Sequence, residues 1–204
     1  MIQLYAFVRG LDELPDDLEA VPLGSSAAVV GPAGGDERDD LVRHGLLLQS
    51  LVDSADAVLP ARFGERFADT ASLGAALAGR TEALEERLAA VEGCVELTVR
   101  VARAGGRAAH EAADGGAYMR SRLRAVAADS AVAHDLHALL AARSRDAVVA
   151  DPGLSRLVHD ACYLIARDDV DEFAETVERY AAAHPELSLV CTGPWAPASF
   201  AGAA

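Results

Sequence analysis

The sequence predicts an α+β fold in two domains: a small N-terminal α+β domain over residues 1–92 and a C-terminal ferredoxin-like (βαββαβ) domain with an antiparallel sheet over residues 93–204. Three observations predict it. Segments of period-2 hydrophobicity alternate with segments of helical period along the whole chain. From residue 93 onward their order reads β-α-β-β-α-β, which two crossover units close into a four-stranded sheet with both helices on one face. The charge texture also changes near residues 89–94: residues 1–92 carry 7 Arg against 17 acids, and residues 93–204 carry 11 Arg against 15.

In chain order, Met1 to Val8 alternates Ile2, Leu4, Ala6 and Val8 against Gln3, Tyr5 and Phe7, a strand with one greasier face. Asp12 to Asp17, with Pro15, is a polar turn, and Ala27 to Val30 is a short buried strand closed by Gly31 to Gly35. Acids at Asp36 to Asp40 suit the first turn of a helix reaching about Val52, with an apolar side through Leu41, Leu48 and Val52. Val58 to Gly64 is too short and Pro/Gly-marked to be helical. A single further helix runs from an N-cap at Thr70 to Gly93, weakened at Gly74 and Gly79 by about 1 kcal/mol each.

Residues 95–101 form the clearest strand, with Val95, Leu97, Val99 and Val101 on one side and Glu96, Thr98 and Arg100 on the other. A Gly/Ala-rich loop to about Gly116, expected to be the most disordered piece, precedes a helix from Tyr118 to Ala142. A short strand at Ala147 to Ala150, a turn at Asp151-Pro152-Gly153 and a strand at Leu157 to Ala166 follow. Val170, Phe173, Val177 and Tyr180 step by 3, 4 and 3 along the last helix, and Leu187 to Thr192 is the final strand.

Composition narrows the function. The chain has 204 residues, 51% of them hydrophobic, and a net charge of −14, and every one of its 18 basic residues is arginine. That field repels phosphate backbones and anionic lipid, so nucleic-acid binding is not expected. No apolar run approaches the 18 residues of a membrane span, and no signal segment opens the chain, so a cytoplasmic protein without membrane insertion is expected. Cys94, Cys162 and Cys191 are widely spaced among β-type residues, as buried reduced thiols would be.

Catalytic patterns are weak. His134 and His137 share a helix face, but zinc needs three or four ligands, and His159-Asp160 and His110-Glu111 are sequence neighbours that diverge on any regular element. There is no G-x-S-x-G, and a chain without lysine has no Walker A loop. We therefore expect no enzyme, no cofactor and no metal. What stands out instead is bulk in turn-like stretches. On a Pro-kinked strand from Val58 to Phe67, Arg62 and Arg66 interleave with Phe63 and Phe67, and the lone Trp195 and Phe200 sit in a Gly-Pro tail. The tail is expected to be strapped over the core by Trp195, or else to form an aromatic docking surface, since Trp, Phe and Arg dominate interface hot spots. Arg120 and Arg124 lie in a locally positive stretch between Arg100 and Arg124, an opening for an acidic partner.

The segments Val58-Leu59-Pro60-Ala61-Arg62-Phe63-Gly64 and Thr192-Gly193-Pro194-Trp195-Ala196-Pro197-Ala198-Ser199-Phe200 resemble the signature of the gas vesicle protein F/L family (GvpF/GvpL). Leu4 to Val8, His44, Gly93 to Val101, Gly116 to Met119 and Ala161 to Ile165 fit the same resemblance, which covers nearly the whole chain. Ala196 and Ala198 stand where family members usually carry bulkier residues. The resemblance implies a two-domain, non-enzymatic accessory protein of buoyancy organelles. It would associate with the hydrophobic shell protein GvpA and with other accessory gas vesicle proteins during nucleation. Arg62, Phe63, Arg66, Phe67, Arg120, Arg124, Trp195 and Phe200 are then the candidate partner-binding residues. A structural component of the vesicle wall, or a ligand-binding or enzymatic module on a ferredoxin-like sheet, are the alternative expectations.

Overall fold

The computed structural model describes residues 1–34, 37–105, 115–150 and 157–202. The chain forms two compact units, one of Met1–Glu96 with Pro194–Ala204 and the other of Leu97–Gly193. The first unit therefore includes the C-terminal tail, which the sequence reading assigned to the second domain.

The first unit is built on a mixed sheet-and-helix plan. Strands β1 (Ile2–Leu11), β2 (Glu19–Leu23), β3 (Ser26–Pro32) and β4 (Ala55–Pro60) stand in the order β2-β3-β1-β4, and the two-residue β5 (Arg66–Phe67) also pairs with β1. All these pairings are antiparallel, with Phe7 opposite Ala28 on one side and Leu59 on the other. Helix α1 (Glu37–Ser54) and helix α3 (Thr81–Val91) both pack on β1 and β4. Because β1 is central and covered, residues 3–8 are all buried, Gln3 included, so the greasy and less greasy faces expected of it both lie inside.

Two local expectations change for identifiable reasons. The segment from Thr70 to Val91 is two helices, α2 (Thr70–Leu77) and α3, parted at Gly79, whose φ of +79° no helix accommodates. The N-cap of α2 is Asp69, not Thr70: its carboxylate accepts from the Ser72 N–H at 2.8 Å while the Ser72 hydroxyl receives the Asp69 N–H at 3.1 Å, a reciprocal capping box. In α1, His44, Leu51 and Val52 face the core, whereas Leu41 is 54% exposed.

The second unit takes β6 (Cys94–Arg103) from Leu97 onward, α4 (Gly115–Ala141), β7 (Asp146–Val149), β8 (Leu157–Ala166), α5 (Val170–Ala183) and β9 (Leu187–Trp195) as far as Gly193, in that order. The sheet order is β7-β8-β6-β9, with β7 and β8 antiparallel. Its core gathers Val99, Val101, Leu136, Leu140, Tyr163, Ile165, Phe173 and Val177. Strand β6 is buried continuously from Cys94 to Val99, so its polar side faces protein as well. There, the Thr98 hydroxyl meets the Cys162 sulfur at 3.6 Å. The Gly/Ala-rich loop at 106–114, with His110, and the turn at Asp151-Pro152-Gly153 lie outside the described residues.

Candidate functional site

Four of the sequence-predicted residues belong to the segment that closes β4. Ala61 donates its N–H to the Tyr5 carbonyl at 2.9 Å, and Leu4 donates to the Glu65 carbonyl at 2.9 Å, so the loop is tied to β1 at both ends. Phe63 packs edge-on against His44 of α1, centroids 5.5 Å apart, and His44 in turn leans on Tyr5 at 5.4 Å. Burial pushes the His44 pKa down, with its hydrogen bond to the Ala61 backbone working against that. Arg66 reaches Asp40 of α1 at 3.5 Å, and Phe67 is half-buried opposite Ile2. Phe63, Arg66 and Phe67 thus have partners inside the unit, and Arg62 is the member of this group that is exposed with no ion pair among the described residues.

The tail is strapped down, but not by Trp195. Ala196 and Pro197 are buried, the Ser199 N–H and hydroxyl donate to the Glu96 carboxylate at 2.8 and 3.0 Å, and Arg87 donates to the Ala201 carbonyl at 3.0 Å. Glu96 itself is buried. With those anchors in place, Trp195 stands 49% exposed at the end of β9, and Phe200 is half-buried in a short 3₁₀ turn at Ala198–Phe200. The expectation that Trp195 straps the tail is corrected: small residues and a buried carboxylate hold it, and the indole is left outside.

Arg120 and Arg124 are exposed on α4, in the second unit. The structure therefore groups six of the eight candidates in the first unit and two in the second. It also shows two features that sequence reasoning missed. One is a cavity of about 500 Å³ between the β1–β2 connection and α1, lined by Pro15, Asp17, Leu18, Asp39, Val42, Arg43, Leu46 and Leu47. Its signal was present: α1 carries Leu41, Val42, Leu46, Leu47, Leu48, Leu51 and Val52, more apolar residues than one buried stripe can use. The other is that Met119, Leu123 and Val126 of α4, read as part of one helical pattern with Leu136 and Leu140, are 55%, 65% and 46% exposed.

The histidines group differently from the sequence pair. His134 is exposed, while His137 of α4 and His159 of β8 both meet the Tyr163 hydroxyl, through Nδ1 at 3.2 Å and Nε2 at 2.9 Å. Desolvation pushes the His159 pKa down, with neighbouring His137 adding to it and Asp160 opposing, and burial pushes that of Tyr163 up. One phenol between two imidazoles is a satisfied polar pair of contacts in a core. Among the described residues no group of three or more His, Cys, Asp or Glu is placed to hold a metal. The cysteines are free thiols, Cys94 buried and the other two half-buried, and burial raises the Cys191 pKa, away from a reactive thiolate. No helix among the described residues is long and apolar enough to cross a membrane.

Against known proteins, residues 4–202 match the family model described as gas vesicle synthesis protein GvpL/GvpF. The chain belongs to the GvpL/GvpF family. It is similar to gas vesicle protein F2 of Halobacterium salinarum, at 31% identity over 159 residues, and the match covers 77% of this chain and 65% of that relative, just under two thirds of the relative's length. In fold it matches the crystal structures of GvpF from an Anabaena species (TM-score 0.81, 16% identity, covering 100% of this chain and 96% of that one) and from Microcystis aeruginosa (TM-score 0.78, 17% identity, 99% of each).

Proposed function

We propose that this GvpL/GvpF-family chain is a non-catalytic assembly protein that binds the shell protein GvpA and other accessory gas vesicle proteins during vesicle nucleation, working in the cytoplasm and on the nascent vesicle. A shell subunit that buries an apolar face in a finished wall aggregates unless that face is covered beforehand. The observation that carries the reading is Trp195. The only tryptophan of the chain is held out to solvent on a tail clamped by Glu96 and Arg87, a rigid aromatic of the kind that anchors interfaces. Exposed Arg62 lies in the same unit, and Arg120 and Arg124 add cationic surface in the second. We also take the two units as the two domains of the family. The β-α-β-β-α-β element order and the β7-β8-β6-β9 strand order support a ferredoxin-like second domain.

The test is co-expression of the tagged full chain with GvpA. The chain should retain GvpA on the affinity column and keep it in the soluble fraction, and Trp195→Ala should lose about tenfold or more of the captured GvpA, the effect of a hot-spot truncation near 1.4 kcal/mol or above, at an unchanged melting temperature. Absence of GvpA in the eluate from the parent chain refutes the proposal.

A further inference from the structure

Two surfaces in this molecule complement each other, and neither contains Trp195 or Phe200. On α4, Met119, Leu123 and Val126 follow at i, i+4 and i+7 and share one stripe, all of it exposed. Helical geometry puts Tyr118 and Arg122 along one flank of that stripe and Arg120 along the other, with Arg124 beyond Arg120 on the same side. The Arg122 guanidinium donates to the Tyr118 hydroxyl at 3.3 Å, which fixes one flank. From Gly115 to Ala128 the helix carries three Arg and no acid.

The cavity beside α1 has the opposite character. Pro15, Leu18, Val42, Leu46 and Leu47 give it an apolar floor, and Val42 and Leu46 are 59% and 69% exposed. Asp17 and Asp39 are the acids of its lining, and the connection Asp12 to Glu19 that supplies Asp17 carries five acids, all exposed, and no base. The one arginine that lines the cavity, Arg43, is already paired with Asp17.

We propose that the α4 stripe of one copy seats in the α1 groove of a second copy, so that the chain associates head to tail with itself. The occupant is chosen by fit of sign and shape. A convex apolar ridge flanked by guanidinium groups meets a concave apolar cleft edged by carboxylates, and the two come from different surfaces of the same sequence. The net charge of −14 opposes this only at long range, because beyond about 10 Å exposed charges are screened at 0.1 M salt. Within the contact the local signs are opposite. Such an interface is heterologous, so a pair leaves one copy's groove and the other copy's stripe unfilled and can add further copies. This goes beyond the GvpA-binding proposal, and its test needs no GvpA.

Sedimentation velocity of the full chain alone, from about 1 µM to about 1 mM, should show a weight-average mass that climbs with concentration, as a micromolar-or-weaker contact requires. The climb should shrink between about 0.05 M and about 0.5 M salt as the charged flanks are screened. Leu46→Asp and Leu123→Asp, each at a solvent-facing position, should each be monomeric with unchanged far-UV circular dichroism and melting temperature. Mixed together they should form a one-to-one dimer that grows no further, because the intact stripe of the first fits the intact groove of the second. Arg120→Glu with Arg124→Glu supplies a second stripe variant should Leu123→Asp fold poorly. A parent chain of constant monomer mass overturns the proposal. So does association that survives Leu123→Asp, or a mixture that stays monomeric.

Discussion

Glu96→Ala should free the C-terminal tail without unfolding the protein. Glu96 is 6% exposed, and its carboxylate accepts two hydrogen bonds from Ser199, one from the backbone N–H at 2.8 Å and one from the hydroxyl at 3.0 Å. Bonds to a charged acceptor are worth about 1.5–3 kcal/mol each, so their joint loss is about 3 kcal/mol or more. The cost to global stability is capped, because a detached tail finds water for its own polar groups and forfeits only its docking. Ser199→Ala removes the hydroxyl donor and leaves the N–H, for about 1.5 kcal/mol. The double variant should cost no more than Glu96→Ala alone, since the two changes act on one shared interaction. Chymotrypsin cleavage after Trp195 or Phe200 is the assay. About 3 kcal/mol raises the open population roughly 100-fold, and cleavage follows that population when opening and closing are fast. A Glu96→Ala tail as resistant as the parent's, or strictly additive single costs, would refute the clamp.

Three further outcomes follow from the cores and turns. Leu136→Ala and Leu140→Ala, both fully buried under the second sheet, should each cost about 2–5 kcal/mol in urea unfolding, whereas Leu123→Ala on the exposed half of the same helix should stay within about 0.5 kcal/mol. His44 and His159 are both held below the ordinary histidine pKa by burial, so the unfolded chain takes up protons that the fold resists. Stability should be full above about pH 6.5 and fall as pH drops through that value toward their folded pKa values, and His159→Gln should flatten that slope in thermal melts at pH 7.5 to 5. Gly10 sits at φ +62°, and an added Cβ would lie 1.8 Å from Asp56 Oδ2, so Gly10→Ala should lower stability by about 1–2 kcal/mol, read from the urea midpoint.

Much of the element order was legible because the strands announce themselves by composition. Val95, Leu97, Val99 and Val101 mark β6, and Ala161 to Ile165 marks β8. The α5 steps at Val170, Phe173, Val177 and Tyr180 place that helix within its observed bounds. What the local pattern could not supply is the covering partner. Alternation in β6 put Glu96 and Thr98 opposite its apolar side without saying what meets them, and the remote tail and Cys162 do. Strand β2 was missed, because Glu19–Leu23 is too short and mixed to signal itself and exists through pairing with β3, and the Pro-kinked strand read from Val58 to Phe67 is divided into β4, which ends at Pro60, and the two-residue β5 that pairs with β1. The helix break at Gly79 was foreseen only as a weakening, because a propensity cost does not say that the backbone will turn to positive φ.

The candidate surfaces were harder for the same reason. Met119, Leu123 and Val126 repeat with the spacing that Leu136 and Leu140 use, and periodicity alone assigns all of them to a core. The difference lies in what stands opposite: Leu136 and Leu140 meet the second sheet, while the first turns of α4 stay exposed among the described residues. The aromatic tail shows the converse. Trp195 was singled out as bulk in a turn, and two roles were open, a strap or a docking group. The strap turned out to be Ala196, Pro197 and the Ser199–Glu96 pair, residues with no compositional signal at all. The hydrogen bonds that hold the tail do not involve the indole, which is 49% exposed, so Trp195→Ala tests partner capture with the clamp intact, in a way that no substitution at Phe63, packed on His44, could.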